Sequence, residues 1–167
     1  LREEIAEEYY TRCKNNQLID FSGLIYETIQ LLENNQEVRE NLQNLFKYIL
    51  VDETQDTNGS QFHLVNLLAG KWRNIMIVAD VDQSIYGWRG ARYQNIEEFL
   101  HKYPDCQIIN LSKNYRSTPQ IIAVADKLIK HNSSHMGTKF ETDNPGGEPV
   151  KCYQMQDQVA EAEWVGN

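Results

Sequence analysis

The sequence predicts an α/β fold: a parallel sheet with helices on both of its faces. Three observations carry this. Four short apolar runs, at 46–51, 75–79, 107–111 and 149–153, are rich in Ile, Val, Leu or Tyr and end in polar or turn residues, the pattern of buried strands. Between them, apolar residues recur at helical spacing, and strands alternating with helices of about ten to fifteen residues imply parallel pairing. Three of the runs lead directly into polar clusters, at the carboxyl ends of strands where ligands bind in such sheets.

Taken in order, the acidic opening from Glu3 to Glu8 fits an exposed helix. Phe21, Leu24, Ile25, Ile29 and Leu32 share one face of a second helix, which precedes the strand FKYILV. Phe62, Val65 and Leu68 mark a helix between the first two strands. Ile96, Phe99, Leu100 and Tyr103 mark the next, and Ile121, Ala125, Leu128 and Ile129 mark one after the third strand. Most of these residues are expected in the core. The stretches 131–137 and 142–148, the latter TDNPGGE, are dense in loop and turn formers.

Composition narrows the function classes. A chain of 167 residues, 41% hydrophobic and 24% charged, can bury a core, and with no long apolar run it has no membrane span. The opening LREEIAEEYY lacks the basic start and apolar stretch of a signal peptide, so a cytoplasmic protein is expected. Cys13, Cys106 and Cys152 are far apart and outside any Cys-x-x-Cys or Cys/His cluster, which supports neither a disulfide framework nor a zinc site. The net charge of -8 is uneven. Residues 1–57 hold five basic and twelve acidic side chains, and 83–140 hold eight basic and four acidic. The second segment is suited to face a polyanion, although solvated helix faces give the same drift.

The chemistry lies after the strands. Behind FKYILV stand Asp52 and Glu53, adjacent carboxylates that repel unless a cation is near. One can hold a hard divalent ion together with substrate phosphates while the other accepts a proton from an attacking water, the Walker B arrangement. Strand-end acids also arise as helix caps. The second cluster, ADVDQSIYGWRGA at 79–91, offers Gln83 to bond a phosphate oxygen and a water, Tyr86 and Trp88 as flat faces for bases, and Arg89 as a fork of donors. Such stacking is worth about 1–3 kcal/mol per base and ignores sequence; core packing is the alternative for Trp88. In the third, NYRSTP at 114–119, cap chemistry accounts for Ser117, Thr118 and Pro119. Tyr115 and Arg116 suit an adenine ring and a terminal phosphate.

VDETQDTN, ADVDQSIYGWRGA and NYRST, in this order and spacing, resemble motifs II, III and IV of superfamily 1 DNA helicases of the UvrD/PcrA/Rep family. LIDFSGLI before FKYILVDE, and GGEPVKCYQ before EAEWV, extend the resemblance over essentially the whole chain. It implies a RecA-like P-loop NTPase motor fold and an ATP-driven motor that moves along single-stranded DNA, generally 3′ to 5′, and separates duplex DNA. By the same resemblance Asp52, with Glu53 beside it, would coordinate magnesium, Glu53 would polarise the hydrolytic water, and Gln83 would contact the terminal phosphate of ATP. Tyr86 and Trp88 would contact bases, Arg89 would link the DNA-facing loop to the acidic site, and Tyr115 and Arg116 would supply adenine stacking and a phosphate-sensing finger. The expected division is 1–17 as the end of an inserted helical subdomain, 18–110 as the C-terminal part of the first motor domain and 111–167 as the start of the second.

Ala79 stands where the family usually has Gly, Asp20 to Gly23 lack its second acid, and Ser112-Lys113 replace a common Glu-Gln. No G-x-x-x-x-G-K-S/T occurs, so the chain is expected to be an incomplete piece of a parent protein, inactive alone. A catalytically inactive helicase-like module that binds DNA or a partner is the competing reading. A carboxylate metal nuclease would want further acids or a Lys near Asp52 and Glu53, and would leave the aromatic and Arg residues unexplained.

Overall fold

The computed structural model describes residues 2–132 and 139–166, with side chains from residue 4 onward; positions 133–137 of the expected loop lie outside the described residues. The chain divides into two compact units, Leu1–Cys106 and Gln107–Asn167.

The first unit opens with helix α1 (Arg2–Asn15), whose described side chains are almost all exposed, as the acidic run predicts. Helix α2 (Phe21–Asn34) starts where the Asp20 carboxylate accepts the Gly23 N–H at 2.6 Å, and α3 (Gln36–Leu45) starts where Asn35 accepts the Val38 N–H at 3.0 Å. Strand β1 (Ile49–Val51) follows, then a 3-10 turn (Thr54–Asp56) and helix α4 (Gly59–Ala69). A capping box fixes the start of α4: Asn58 accepts the Gln61 N–H at 2.9 Å, and the Gln61 side chain accepts the Asn58 N–H at 3.0 Å. Strand β2 (Ile75–Ile77) then pairs parallel with β1 in the register Ile49 to Ile75, Leu50 to Met76 and Val51 to Ile77. Two further 3-10 turns, Val81–Gln83 and Gly87–Arg89, lead to helix α5 (Gln94–Lys102).

The α/β class is as the sequence predicts: a small parallel ladder joined by a helical crossover. Its core is Phe62 of α4 with Phe99 and Tyr103 at the end of α5, against which Ile75, Ile77, Leu100 and Cys106 pack. The Phe99 and Tyr103 rings lie 4.7 Å apart, and the Arg73 guanidinium sits 4.7 Å from the Tyr103 ring. Burial raises the pKa of the Tyr103 phenol against the opposing pull of Arg73. Ile29 and Leu32 are the buried apolar residues of α2, so its expected apolar face is only partly covered; Phe21 is 90% exposed.

The second unit contains helices α6 (Pro119–Ile129) and α7 (Gln158–Gly166). The runs 107–111 and 149–153, expected as strands, lie outside any helix and form no ladder among the described residues. A strand exists only through its neighbour, and here the pairing is a single parallel bridge, Lys113 to Glu141. Accordingly Ile108, Ile109 and Leu111 are exposed, as are Ile121 and Leu128 of α6. An apolar run shows which side chains seek cover; it does not carry the cover with it.

Candidate functional site

Pairing between the first two strands continues past their ends. Val78 N–H donates to Val51 O at 2.7 Å and Thr54 N–H to Val78 O at 3.0 Å. The chain leaving β1 and the chain leaving β2 therefore run side by side, and the first two polar clusters meet at one edge.

Asp52 and Glu53 are both exposed there, not set in a buried edge. Glu53 adopts the left-handed backbone conformation, φ 51 and ψ 42, which costs a non-glycine residue about 1–3 kcal/mol. This sharp bend turns the strand into the following 3-10 turn and leaves both carboxylates at its rim. Two bonds hold it: the Glu53 N–H donates to Asp52 Oδ1 at 2.9 Å, and Glu53 Oε2 accepts from Gln55 Nε2 at 2.6 Å.

Beneath them Thr54 is fully buried and Gln55 is 1% exposed. Gln55 Oε1 accepts the Asp80 N–H at 3.0 Å. Asp80 caps the next 3-10 turn by accepting the Asp82 N–H at 3.0 Å, and its other carboxylate oxygen accepts from Gln83 Nε2 at 2.6 Å. Glu53 and Gln83, both expected at the site, are thus joined through Gln55 and Asp80, which sequence reasoning did not single out. The available signal was a carboxamide set between carboxylates in VDETQD.

The aromatic loop is tied to the same edge. Asn58 and Ala91 form an isolated antiparallel bridge, the Arg92 N–H donates to Thr57 O at 3.0 Å, and the fully buried Asn95 donates to Thr57 O and Oγ1 at 2.9 and 3.0 Å. Between these anchors Tyr86 and Trp88 stand 6.4 Å apart at 55°, with the Arg89 guanidinium 5.6 Å from each ring. Trp88 is 80% exposed, outside the core that the described residues form.

Gly90 closes this loop at φ +85, a conformation that favours glycine, whereas a Cβ on Gly87 would meet nothing within 4 Å. We expect Gly90→Ala to lower stability by about 1 kcal/mol and Gly87→Ala to be near neutral, as read by urea unfolding; equal effects would contradict the loop geometry.

In the second unit the Asn114 side chain accepts the Arg116 and Ser117 N–H groups at 2.9 and 2.8 Å, and Asn144 donates to Ser117 O at 3.1 Å. Lys113 pairs with Asp143, a bond that raises the lysine pKa. This turn lifts Tyr115 and Arg116 into solvent, along a shallow pocket lined by residues 113–117. Thr118 occupies the N-cap position of α6 without a side-chain cap bond, with Pro119 in the first turn.

Among the described residues no group of three or more His, Cys, Asp or Glu is placed to hold a metal ion. Magnesium typically keeps several waters and takes one or two carboxylates plus substrate phosphates, a demand that the exposed Asp52 and Glu53 fit. No described helix is long and apolar enough to cross a membrane.

Residues 1–104 match the model of the UvrD/REP helicase N-terminal domain, and residues 109–167 match that of the UvrD-like helicase C-terminal domain. The chain is 46% identical over 161 residues, 96% of its length, to the ATP-dependent DNA helicase PcrA of Staphylococcus epidermidis. It is 46% identical over 157 residues, 94% of its length, to the protein of that name from Staphylococcus aureus. It spans 22% of the length of these relatives.

Proposed function

This chain belongs to the UvrD/REP helicase family, and from that premise we propose that it forms part of the motor of an ATP-dependent DNA helicase. The motor moves along single-stranded DNA, 3′ to 5′, unwinds duplex DNA and works in the cytoplasm. The observation that carries the reading is the tie between two loops at one sheet edge: the carboxylate loop after β1 and the aromatic loop after β2, joined through Gln55 to Asp80 and through Asn58 to Ala91.

In this reading Asp52 binds magnesium, with Glu53 beside it, and Glu53 accepts a proton from the attacking water. Gln83 contacts the terminal phosphate of ATP. Bound magnesium supplies charge neutralisation at the phosphate oxygens. Tyr115 stacks on adenine and Arg116 pairs with phosphate, while Trp88 and Tyr86 stack on bases and Arg89 links that loop to the acidic site. Residues 1–17 are assigned to an inserted helical subdomain, 18–110 to the first RecA-like motor domain and 111–167 to the start of the second. The unit division after Cys106 and the change of family model between 104 and 109 support a domain change in that region. The rest of the longer protein supplies the phosphate-binding loop.

The test is strand displacement by the full-length protein with magnesium and ATP. Unwinding of a duplex with a 3′ single-stranded tail is expected. DNA binding without ATP-dependent unwinding would favour an inactive helicase-like module.

A further inference from the structure

Glu53 carries the water-activating role in the proposed function, yet its side chain is exposed and long. Left free, such a side chain samples several staggered rotamers, and a general base contributes only when its oxygen is placed at the proton it takes. Among the described residues, the Gln55 side chain bonds its carboxylate. We infer that Gln55 is the positioning residue of the hydrolytic site, holding the Glu53 carboxylate through one face of its carboxamide and the Asp80 segment that carries Gln83 through the other.

The amide orientation follows from its two partners. Nε2 meets a carboxylate oxygen, Glu53 Oε2, at 2.6 Å, and Oε1 meets a backbone donor, the Asp80 N–H, at 3.0 Å. Rotating the amide by half a turn would set oxygen against oxygen and N–H against N–H, so only one arrangement satisfies both ends. At 1% exposure water cannot replace either bond, and a buried amide that loses a partner bears its full desolvation cost. The bond to Glu53 has a charged acceptor, the stronger kind of hydrogen bond. The Ser84 hydroxyl also donates to Gln55 O at 3.5 Å, a second link to the Gln83 loop. Asp80 in turn holds Gln83. A shift of that loop, as when Gln83 meets or loses a phosphate, therefore reaches the Glu53 carboxylate through a buried and oriented group.

The inference rests on the proposed role of Glu53, and two variants separate it from general structural support. Gln55→Glu keeps an acceptor for the Asp80 N–H but replaces the donor to Glu53 with a carboxylate. Gln55→Met removes both bonds at similar volume and adds no charge. In the full-length protein, with magnesium, ATP and saturating single-stranded DNA, both variants are expected to lower kcat about 10- to 100-fold, with KM for ATP within about twofold of wild type. Added to Glu53→Gln, Gln55→Met is expected to lower turnover no further, because both act on one step. Wild-type kcat in either Gln55 variant overturns the inference. So does loss of ATP binding in both, which would make Gln55 a residue of the fold alone. If Glu53→Gln abolishes turnover and the Gln55 variants do not, only this inference fails. If Glu53→Gln itself turns over normally, the reading of Glu53 fails as well.

Discussion

Replacing Glu53 with Gln in the full-length protein is expected to lower DNA-stimulated ATP hydrolysis by about 10²–10⁴-fold, the usual worth of a positioned general base, while ATP binding persists. The substitution keeps the length and shape of the side chain. It removes the proton acceptor without touching Asp52, the other carboxylate assigned to magnesium. The introduced carboxamide can still accept a bond from Gln55 Nε2 through its oxygen, so the loop should hold its backbone. That backbone is the sensitive part: the left-handed conformation at residue 53 aims both carboxylates out of the sheet edge. The measurement pairs steady-state hydrolysis with equilibrium binding of ATP. Unchanged turnover would remove Glu53 from its role, and lost binding would show that the residue holds nucleotide instead of activating water.

The second large effect is expected at Trp88. Its indole is exposed and stands beside Tyr86 under the Arg89 guanidinium, so a base can stack on a surface already flanked by a cation. Trp88→Ala is expected to weaken single-stranded DNA binding about 5- to 150-fold, corresponding to about 1–3 kcal/mol of stacking, and to abolish unwinding. ATP hydrolysis in the absence of DNA should stay at its basal rate, because Trp88 has no part in the chain from Glu53 through Gln55 to Gln83. Normal unwinding by Trp88→Ala would leave the indole without a stacking role.

The ends of the first two strands were legible because an apolar run that breaks abruptly into Asp-Glu, or into Asp-x-Asp-Gln, signals a strand and the point where it stops. The helix pattern around Phe62, Phe99 and Tyr103 likewise marked the core. Gln55 was not legible: its side-chain oxygen is bonded by the Asp80 N–H, twenty-five residues away, and the chains leaving the two strands run side by side because Val51 and Ile77 are in register. Nor does the letter Glu at position 53 disclose a left-handed turn, since that conformation is imposed by what holds it. The runs 107–111 and 149–153, in a chain that spans 22% of the length of its relatives, form no ladder among the described residues. Their composition suits a strand, but a ladder needs a partner. Phe21 is likewise a helix-face residue left exposed in this chain.

What joins these predictions is the proposal that the loop of Glu53 serves nucleotide and the loop of Trp88 serves DNA, two loops that are hydrogen-bonded to each other at one sheet edge. The most direct test is the ratio of ATP hydrolysis by the full-length protein with and without single-stranded DNA, measured in the wild type and in Trp88→Ala. The wild type should be strongly stimulated and Trp88→Ala should lose that stimulation while keeping the basal rate; a hydrolysis rate indifferent to DNA in the wild type would contradict the account.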